Sequence, residues 1–256
     1  MYQPEEPVLS NEQPASIRHF GLSGSTLKLI AMLSMLTDHI GAVIVGPYTD
    51  AVLETVGYET VRRLSVCYDL LRDIGRIAFP IFCFLLIEGF LHTKNVWRYA
   101  GRLLLFAAIS EIPFDLAFQN KIFNINSQNV FFTLLIGLLM LIGLKSIKEL
   151  LQIPVFIKTL LSLLTVIVSM LAAYYLKTDY SYIGVFCIAV LYLFSRKRIG
   201  QAIAGAVSFC WEIPAPLAFI PIFFYNGKRG WKMKYVFYLF YPLHLLILSM
   251  IAMAII

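Results

Sequence analysis

Long apolar runs separated by short polar segments make up most of the chain after residue 26. A helix needs about 20 apolar residues to cross the hydrocarbon core of a bilayer, and most of these runs approach that length. Trp211-Glu212-Ile213-Pro214 separates two shorter runs. Instead of crossing the membrane separately, these two runs could form a hairpin that does not fully cross, or one broken helix. The pattern predicts about nine transmembrane helices in an all-α polytopic bundle, with eight as the main alternative: 27–46, 70–91, 97–118, 129–145, 154–176, 182–195, 199–211, 214–225 and 234–254.

Loops rich in lysine and arginine alternate along the chain with loops that are not basic. The basic loops are 92–98, 145–153, 195–200 and 226–234, and the loops between them are acidic or nearly neutral. Basic loops tend to stay in the cytoplasm, which places the N-terminus inside and the C-terminus outside. Two crossings by the seventh and eighth helices keep every loop on its expected side, and this favours nine spans.

Composition indicates that the bilayer is the solvent. The chain has 256 residues, of which 59% are hydrophobic and 14% charged, with a mean hydropathy of +0.78. The net charge of +6 comes from residues clustered in short loops, which indicates membrane topology and not nucleic-acid binding. Residues 1–26 are predicted to be a polar cytoplasmic tail, and residues 27–256 a single transmembrane domain.

The first predicted helix carries three ionisable residues inside an apolar run, Lys28, Asp38 and His39. Such residues are costly in a membrane and usually face a partner, a water-filled cavity or a substrate. Eleven residues separate Lys28 from His39, which is about three helical turns and roughly 16 Å. The spacing predicts a cation near one membrane face and a titratable base near mid-membrane, on one side of the helix.

Further ionisable residues are expected near the depth of His39. The rise per residue places Arg76 and Glu111 in the same layer as Asp38 and His39. Opposite charges in one layer lower the free-energy cost of placing each of them in the membrane. His244 lies about 15 Å along the last helix by the same rise. The alternatives are structural: an ion pair of Arg76 with Asp73, capping or snorkelling by Glu111 and Asp115, and a helix-to-helix hydrogen bond from His244.

This set of residues suits proton-transfer chemistry. Histidine serves as a general base near neutral pH, and Asp38 or Glu111 would orient the ring of His39. The cations expected at the inner face suit a phosphorylated donor, because they pair with phosphates. These cations are Lys28, Arg98, Arg102, Lys228 and Arg229. The sequence has no phosphate-binding P-loop, no nucleophile elbow and no metal-ligand spacing, so no metal is predicted.

Several blocks resemble the TraX family in order along nearly the whole chain. The first is Leu-Lys-Leu-Ile-Ala-Met-Leu-Ser-Met-Leu-Thr-Asp-His-Ile-Gly at 27–41. It is followed by Gly-Arg-Ile-Ala-Phe-Pro at 75–80, Glu-Gly-Phe at 88–90 and Ser-Glu-Ile-Pro-Phe at 110–114. The closing blocks are Tyr-Asn-Gly-Lys-Arg-Gly at 225–230 and Phe-Tyr-Pro-Leu-His at 240–244.

The resemblance implies a function. The TraX family is named for a conjugation protein that acetylates the N-terminus of F-pilin, and it is similar to a wider group of transmembrane acyltransferases. Many members of that group carry an arginine or lysine, ten residues, and then a histidine, which is the spacing of Lys28 and His39. The resemblance implies cytoplasmic acetyl-CoA as donor, a central histidine, and an acceptor reached from outside the bacterial cytoplasmic membrane.

The sequence therefore predicts a membrane-embedded acetyl- or short-chain acyltransferase. His39 acts as base or carries the acetyl group, and Arg76 or His244 stabilises the oxyanion. The acceptor is a pilin N-terminus or a cell-envelope glycan, and no nucleic acid is expected to bind. A proton-coupled transporter or flippase and a non-catalytic assembly factor for a surface appendage are the alternatives. The sequence leaves the oligomeric state open.

Overall fold

The computed structural model describes residues 21–231 and 234–255, and all regular elements in these two ranges are helical. The predicted all-α fold is therefore confirmed. All nine predicted segments correspond to helical structure. The helices are α1 Gly24–Val52, α2 Tyr58–Gly75, α3 Ala78–His92, α4 Val96–Gln119, α5 Val130–Glu149, α6 Val155–Tyr175, α7 Ser181–Leu193, α8 Arg198–Ser208, α9 Phe219–Phe223 and α10 Lys234–Ile255.

Helix α1 is longer than predicted at both ends. It begins at Gly24 because the hydroxyl of Ser23 caps it, accepting a hydrogen bond from the backbone N–H of Thr26 at 3.2 Å. A π-helical turn at Gly41–Val45 interrupts its regular geometry before it ends at Val52. Its 29 residues span roughly 43 Å, which exceeds the thickness of a hydrocarbon core. Most of the predicted polar tail (residues 1–20) lies outside the described residues.

The count of nine crossings is not confirmed. Five helices in the described ranges are long and apolar enough to cross a membrane: Gly24–Val52, Tyr58–His92, Val130–Glu149, Val155–Tyr175 and Tyr235–Ile255. Helix α4 has 24 residues but carries Arg98, Arg102, Glu111 and Asp115, and α7 is apolar but has only 13 residues. The chain forms a helical membrane bundle.

The segment 198–223 is a short helical hairpin. Helix α8 has 11 residues, about 16 Å, and a 3-10 turn at Ala215–Ala218 leads into the five-residue α9, so neither arm crosses a 30 Å core. The guanidinium of Arg198, where the hairpin begins, lies 5.1 Å from the ring of Tyr225, which follows it. Both arms thus start and finish at the same end of the bundle. This geometry keeps the 226–231 segment at that end without two full crossings.

The loop after the hairpin is fastened to the start of α1. The backbone N–H groups of Gly24 and Ser25 donate to the carbonyls of Lys228 and Arg229, at 2.8 and 3.0 Å. Gly230 has a φ of +71°, a left-handed conformation that suits glycine, and a Cβ there would overlap the hydroxyl of Ser25. These contacts place the N-terminus of α1 and the basic loop together, at what we call the basic end.

Three short helices end at one depth. Helices α3, α7 and α8 have 15, 13 and 11 residues, so their ends away from the basic end lie about 16 to 22 Å from it. Asp38 follows the start of α1 by 14 residues, or about 21 Å. The termini of three helices and the middle of α1 therefore meet in one layer, and this layer holds the candidate site.

Candidate active site

A cavity of about 700 Å³ opens at the basic end. Lys28, Arg98, Arg102 and Arg229 line it, so four of the five cations predicted from sequence share one cavity. The fifth, Lys228, is exposed in the adjoining loop. Lys94, Glu88 and several aromatic side chains complete the wall of this basic cavity.

Aromatic rings and a helix cap position the cations of the basic cavity. The Nζ of Lys28 lies 5.0 Å from the centre of the Phe237 ring, and the guanidinium of Arg102 lies 5.6 Å from that of Tyr99. Such contacts hold a cation while leaving its donors available. The side chain of Asn95 caps α4 by accepting from the N–H of Arg98 at 2.9 Å. Arg98 and Arg102 are one turn apart, and both face the cavity.

A second cavity of about 520 Å³ lies deeper, in the layer where the short helices end. It shares Met35, Phe82, Val130 and Tyr241 with the basic cavity, so the two spaces meet at these side chains. Its polar wall combines charged and aromatic residues, and we call it the polar cavity. Asp38, His39, Arg72, Arg76, Asp179, Tyr180, Trp211 and Glu212 line it.

His39 and His244 form a hydrogen-bonded pair whose rings lie edge to edge, nearly in one plane. Nδ1 of His39 lies 2.6 Å from Nε2 of His244, and the ring planes differ by 3°. Nδ1 of His244 lies 2.7 Å from the carbonyl oxygen of Phe240, which only accepts hydrogen bonds. His244 therefore carries its proton on Nδ1, and its Nε2 accepts from His39 when both rings are neutral. This leaves the lone pair of His39 on Nε2, the nitrogen available to act as a base.

Asp38 is held beside that nitrogen by an arginine. Its Oδ2 accepts from Nη1 of Arg72 at 2.5 Å and lies 4.0 Å from Nε2 of His39. A Cβ at Gly75 would overlap the carboxyl group of Asp38, so α2 approaches α1 closely only because this residue is glycine. Nδ1–H of His39 donates to Nε2 of His244, so His244 orients the ring, whereas Asp38 or Glu111 was predicted from the sequence to do so. Asp38 is placed instead to stabilise a positive charge on His39.

Arg76 and Glu212 form the second ion pair of the polar cavity, with Nη1 and Oε1 3.0 Å apart. This pair joins the end of α2 to the tip of the 198–223 hairpin. Asp73 was predicted as an alternative partner for Arg76, but Asp73 is exposed in the structure. Arg76 also interacts electrostatically with Tyr180, and both side chains line the polar cavity. It thus faces the same cavity as Nε2 of His39, in keeping with the predicted role at an oxyanion.

Glu111 and Asp115 secure the loop before α5. Glu111 accepts hydrogen bonds from the side chain and the backbone N–H of Asn129, and Asp115 accepts from the N–H of Asn124 at 2.6 Å. Both carboxylates are buried. The structure therefore places Glu111 on Asn129 and gives it no hydrogen bond to His39 among the described residues; the burial of both carboxylates also differs from the snorkelling offered as an alternative.

Four residues of the polar cavity were missed as site residues: Arg72, Asp179, Tyr180 and Glu212. Arg72 lies one turn before Arg76, and this i,i+4 spacing was a signal that both face one way. Glu212 is an isolated charge between apolar runs, which is itself a signal of a buried partner. Burial raises the pKa of Asp179 from its ordinary value of 3.8 to about 6, partly offset by a hydrogen bond from the N–H of Tyr180. Asp179 and Tyr180 gave no signal beyond residue type.

Within the described ranges, no group of three or more histidine, cysteine, aspartate or glutamate side chains is arranged to hold a metal ion. The four cysteines are free, Cys83 and Cys187 in the core and Cys67 and Cys210 exposed.

Comparison with known proteins identifies the family. A family model described as "TraX protein" matches residues 23–252, about nine-tenths of the chain. The chain belongs to the TraX family. It is 30% identical over 255 residues to a protein of Dichelobacter nodosus named "Probable fimbrial assembly protein FimC, serogroup H1", covering 90% of this chain and 96% of that protein. No solved structure matches the chain. The TraX match spans both cavities, including His39 and His244.

Proposed function

We propose that this TraX-family protein is a membrane-embedded acyltransferase that moves an acetyl group from acetyl-CoA to an acceptor in the polar cavity. The observation that carries this proposal is the position of the His39–His244 pair. His39 lines the polar cavity, and Met35, one turn before it on α1, lines both cavities. A donor bound by its phosphates in the basic cavity would direct its thioester towards Nε2 of His39.

The basic cavity supports a phosphorylated donor. Lys28, Arg98, Arg102 and Arg229 offer donors from three separate elements around one space, and cations so arranged bind phosphate through charge-assisted hydrogen bonds. The distance from Lys28 to His39 along α1 is about 16 Å, to be covered by the pantetheine arm. Apolar and aromatic side chains, including Phe82 and Tyr241, surround this path.

The chemistry then follows from the tautomer of His39. Nε2 removes a proton from the acceptor amine or hydroxyl as its heteroatom attacks the thioester carbonyl, and the positive charge that forms on the ring lies 4.0 Å from Asp38. When the tetrahedral intermediate collapses, the carbon–sulfur bond breaks, and the imidazolium returns its proton to the thiolate of CoA. In the alternative, the same nitrogen attacks the thioester carbon, the carbon–sulfur bond breaks and CoA leaves as the thiolate. The acetyl-histidine then passes its acetyl group to the acceptor, whose proton goes to the CoA thiolate.

Acetyl-CoA binding is the first test. Purified protein should be stabilised against heat by millimolar acetyl-CoA, because a ligand that binds the native state stabilises it. Replacing Arg98 and Arg102 together by alanine should weaken this effect, and added salt should weaken it further by screening. The matched control replaces Arg62 and Arg63, two exposed arginines on α2, by alanine. Absence of stabilisation in the unaltered protein would contradict the proposal.

Orientation is part of the proposal, with the basic end in the cytoplasm of a bacterium. A reporter fused at Gly230 should then read as cytoplasmic and one at Ser127 as extracytoplasmic. These two residues are assigned to opposite ends of the bundle, so the reporters should give opposite signals. A Gly230 fusion that reads as external would leave the basic cavity without access to cytoplasmic acetyl-CoA.

A non-catalytic role in assembling a surface appendage is the second candidate. The name of the Dichelobacter nodosus relative, a probable fimbrial assembly protein, favours it. In that case the ion pairs of the polar cavity only fix the packing of helices. A His39→Gln variant that supports appendage assembly as well as the unaltered protein would favour this role over transfer chemistry.

A further inference from the structure

The turn 177–181, between α6 and α7, has an unusual backbone. Lys177, Tyr180 and Ser181 have φ angles of 53°, 60° and 44°, a left-handed conformation that residues with side chains seldom adopt. The only other such residue in the described ranges is Asn120, at the end of α4. Strained backbone of this kind persists where the surrounding structure enforces it, often at functional sites.

Contacts from α5 and the loop before it enforce this conformation. The N–H of Gln128 donates to the carbonyl of Lys177 at 3.0 Å, and the carbonyl of Gln128 accepts from the N–H of Asp179 at 2.8 Å. The hydroxyl of Thr133 donates to the carbonyl of Asp179. The side chain of Asp179 accepts from the N–H of Tyr180 at 3.0 Å. The turn is thus fixed on both sides, and it presents Tyr180 to the polar cavity.

The ring of Tyr180 is fixed as well. It stacks on Phe79 with centroids 3.6 Å apart and planes within 6°, and the ring of Trp211 packs edge-on at 6.2 Å. Its hydroxyl interacts electrostatically with the guanidinium of Arg76, which Glu212 holds at 3.0 Å. Arginine only donates hydrogen bonds, so a bond between the two groups uses the hydroxyl oxygen of Tyr180 as the acceptor. The O–H proton of Tyr180 is therefore left to donate elsewhere.

His244 and Arg72 already have hydrogen-bond partners near His39. His244 uses Nδ1 on the carbonyl of Phe240 and Nε2 on His39, so it has no N–H for a substrate oxygen. Arg72 is bound to Asp38. Among the described polar residues lining the cavity, Tyr180 combines a fixed ring, a cationic neighbour and an unused proton.

We infer that Tyr180 is a catalytic residue whose hydroxyl donates a hydrogen bond to the oxyanion of the tetrahedral intermediate, with Arg76 as the residue that positions and polarises it. This inference rests on the proposed acyl transfer. As the acceptor atom bonds to the thioester carbon, the carbonyl π electrons move to oxygen, and that oxygen accepts from Tyr180. The acceptor proton goes to Nε2 of His39 and leaves on the CoA thiol when the carbon–sulfur bond breaks.

The test compares Tyr180→Phe with Tyr182→Phe. The phenylalanine at 180 keeps the stacked ring and loses only the hydroxyl, whereas Tyr182 is a more exposed tyrosine two residues later, in the first turn of α7. The maximal rate of CoA release in the presence of acceptor should fall on the order of 100-fold in Tyr180→Phe, as for loss of one oxyanion donor. The half-saturating acetyl-CoA concentration and the melting temperature should stay close to those of Tyr182→Phe.

A tetrahedral mimic separates this role from a structural one. Trifluoroacetonyl-CoA, a ketone whose hydrate imitates the intermediate, should bind Tyr180→Phe more weakly by a factor similar to the loss in rate. Acetyl-CoA should bind both variants alike. Mimic affinity equal in the two variants, or a maximal rate in Tyr180→Phe within about twofold of the control, would overturn the inference.

A second variant allows the test to be made even if Tyr180→Phe does not fold. Replacing Arg76 and Glu212 together by glutamine removes the ion pair without leaving either charge alone, and it should also weaken mimic binding. Mimic affinity left intact in this double variant would overturn the role of Arg76. An unaltered protein that binds no acetyl-CoA would instead refute the proposed acyl transfer, so the two failures are distinguishable.

Discussion

The imidazole rings of His39 and His244 lie parallel, with Nδ1 of the first 2.6 Å from Nε2 of the second. They are 205 residues apart and come from the first and last helices of the bundle. Because the carbonyl of Phe240 fixes the proton of His244 on Nδ1, the pair fixes the tautomer of His39 and leaves Nε2 free to act as a base towards the polar cavity.

Substitutions of His39 and of Lys28 should impair different steps, the chemical transfer and the binding of acetyl-CoA respectively. His39→Gln keeps a polar side chain of similar size but loses the base, so the transfer rate should fall on the order of 100- to 10,000-fold while acetyl-CoA binding survives. Lys28→Gln removes one cation of the basic cavity, so it should raise the half-saturating acetyl-CoA concentration and keep much of the maximal rate. An active His39→Gln variant would refute the catalytic role; equal loss of donor binding in both would make His39 a binding residue.

His244 should tolerate glutamine better than leucine. The side-chain oxygen of glutamine accepts from Nδ1 of His39 and preserves the tautomer, whereas leucine leaves that nitrogen without an acceptor. His244→Gln should therefore keep most of the transfer rate, and His244→Leu should lose about fivefold or more, as expected when a hydrogen bond worth about 1 kcal/mol or more is removed. The rates are compared at saturating acetyl-CoA. A leucine variant as active as the glutamine variant would show that tautomer control is unimportant.

Gly75→Ala should disrupt the site, although it adds only one methyl group. The new Cβ would overlap the carboxyl group of Asp38, so Asp38 would have to leave Arg72 or α2 would have to move away from α1. We expect a lower melting temperature and a lower transfer rate. The control is Gly101→Ala on α4, where a Cβ meets open space and alanine favours the helix by up to about 1 kcal/mol. Equal melting temperatures for the two variants would contradict the close packing of α1 and α2.

Asp179 should make stability depend on pH. Its pKa rises from 3.8 to about 6 on folding, so the folded state binds the proton more tightly than the unfolded state. Proton binding by Asp179 contributes on the order of 3 kcal/mol to the free energy of unfolding. This contribution is complete below pH 3.8 and is lost as the pH rises through 6. Asp179→Asn keeps an acceptor for the N–H of Tyr180 without the charge. It should therefore raise the melting temperature more at pH 8 than at pH 4; an equal gain at both would contradict the prediction.

The apolar pattern of the sequence predicted most of the helices and their order, although the predicted segment 70–91 is divided between α2 and α3 and the first part of α2 was missed. Each predicted segment is helical in the structure, because a 3.6-residue turn and a minimum length for burial act locally and leave their mark in the sequence. The deviations also have local causes. The cap at Ser23 starts α1 early. The helices on either side of Glu212, α8 and α9, are too short for two full crossings and form a hairpin instead.

The basic cavity was also predictable in part. Cations at the loop ends of α1 and α4 and in the loop before α10 must lie at one end of an alternating bundle, so Lys28, Arg98, Arg102 and Arg229 were expected together. The resemblance to the TraX family, which the family match confirms, pointed to Lys28 and His39.

Local sequence patterns specify most of the helices, the two ends of the bundle and the ionisable residues that need partners inside it. Which partners these residues find depends on how the helices pack. Arg72 joined Asp38, Glu212 joined Arg76, and His244 joined His39, because hydrogen bonds between helices depend on rotation and crossing that no local pattern encodes. Glu111 was at the expected depth, but the rotation of α4 and the position of the following loop directed it to Asn129.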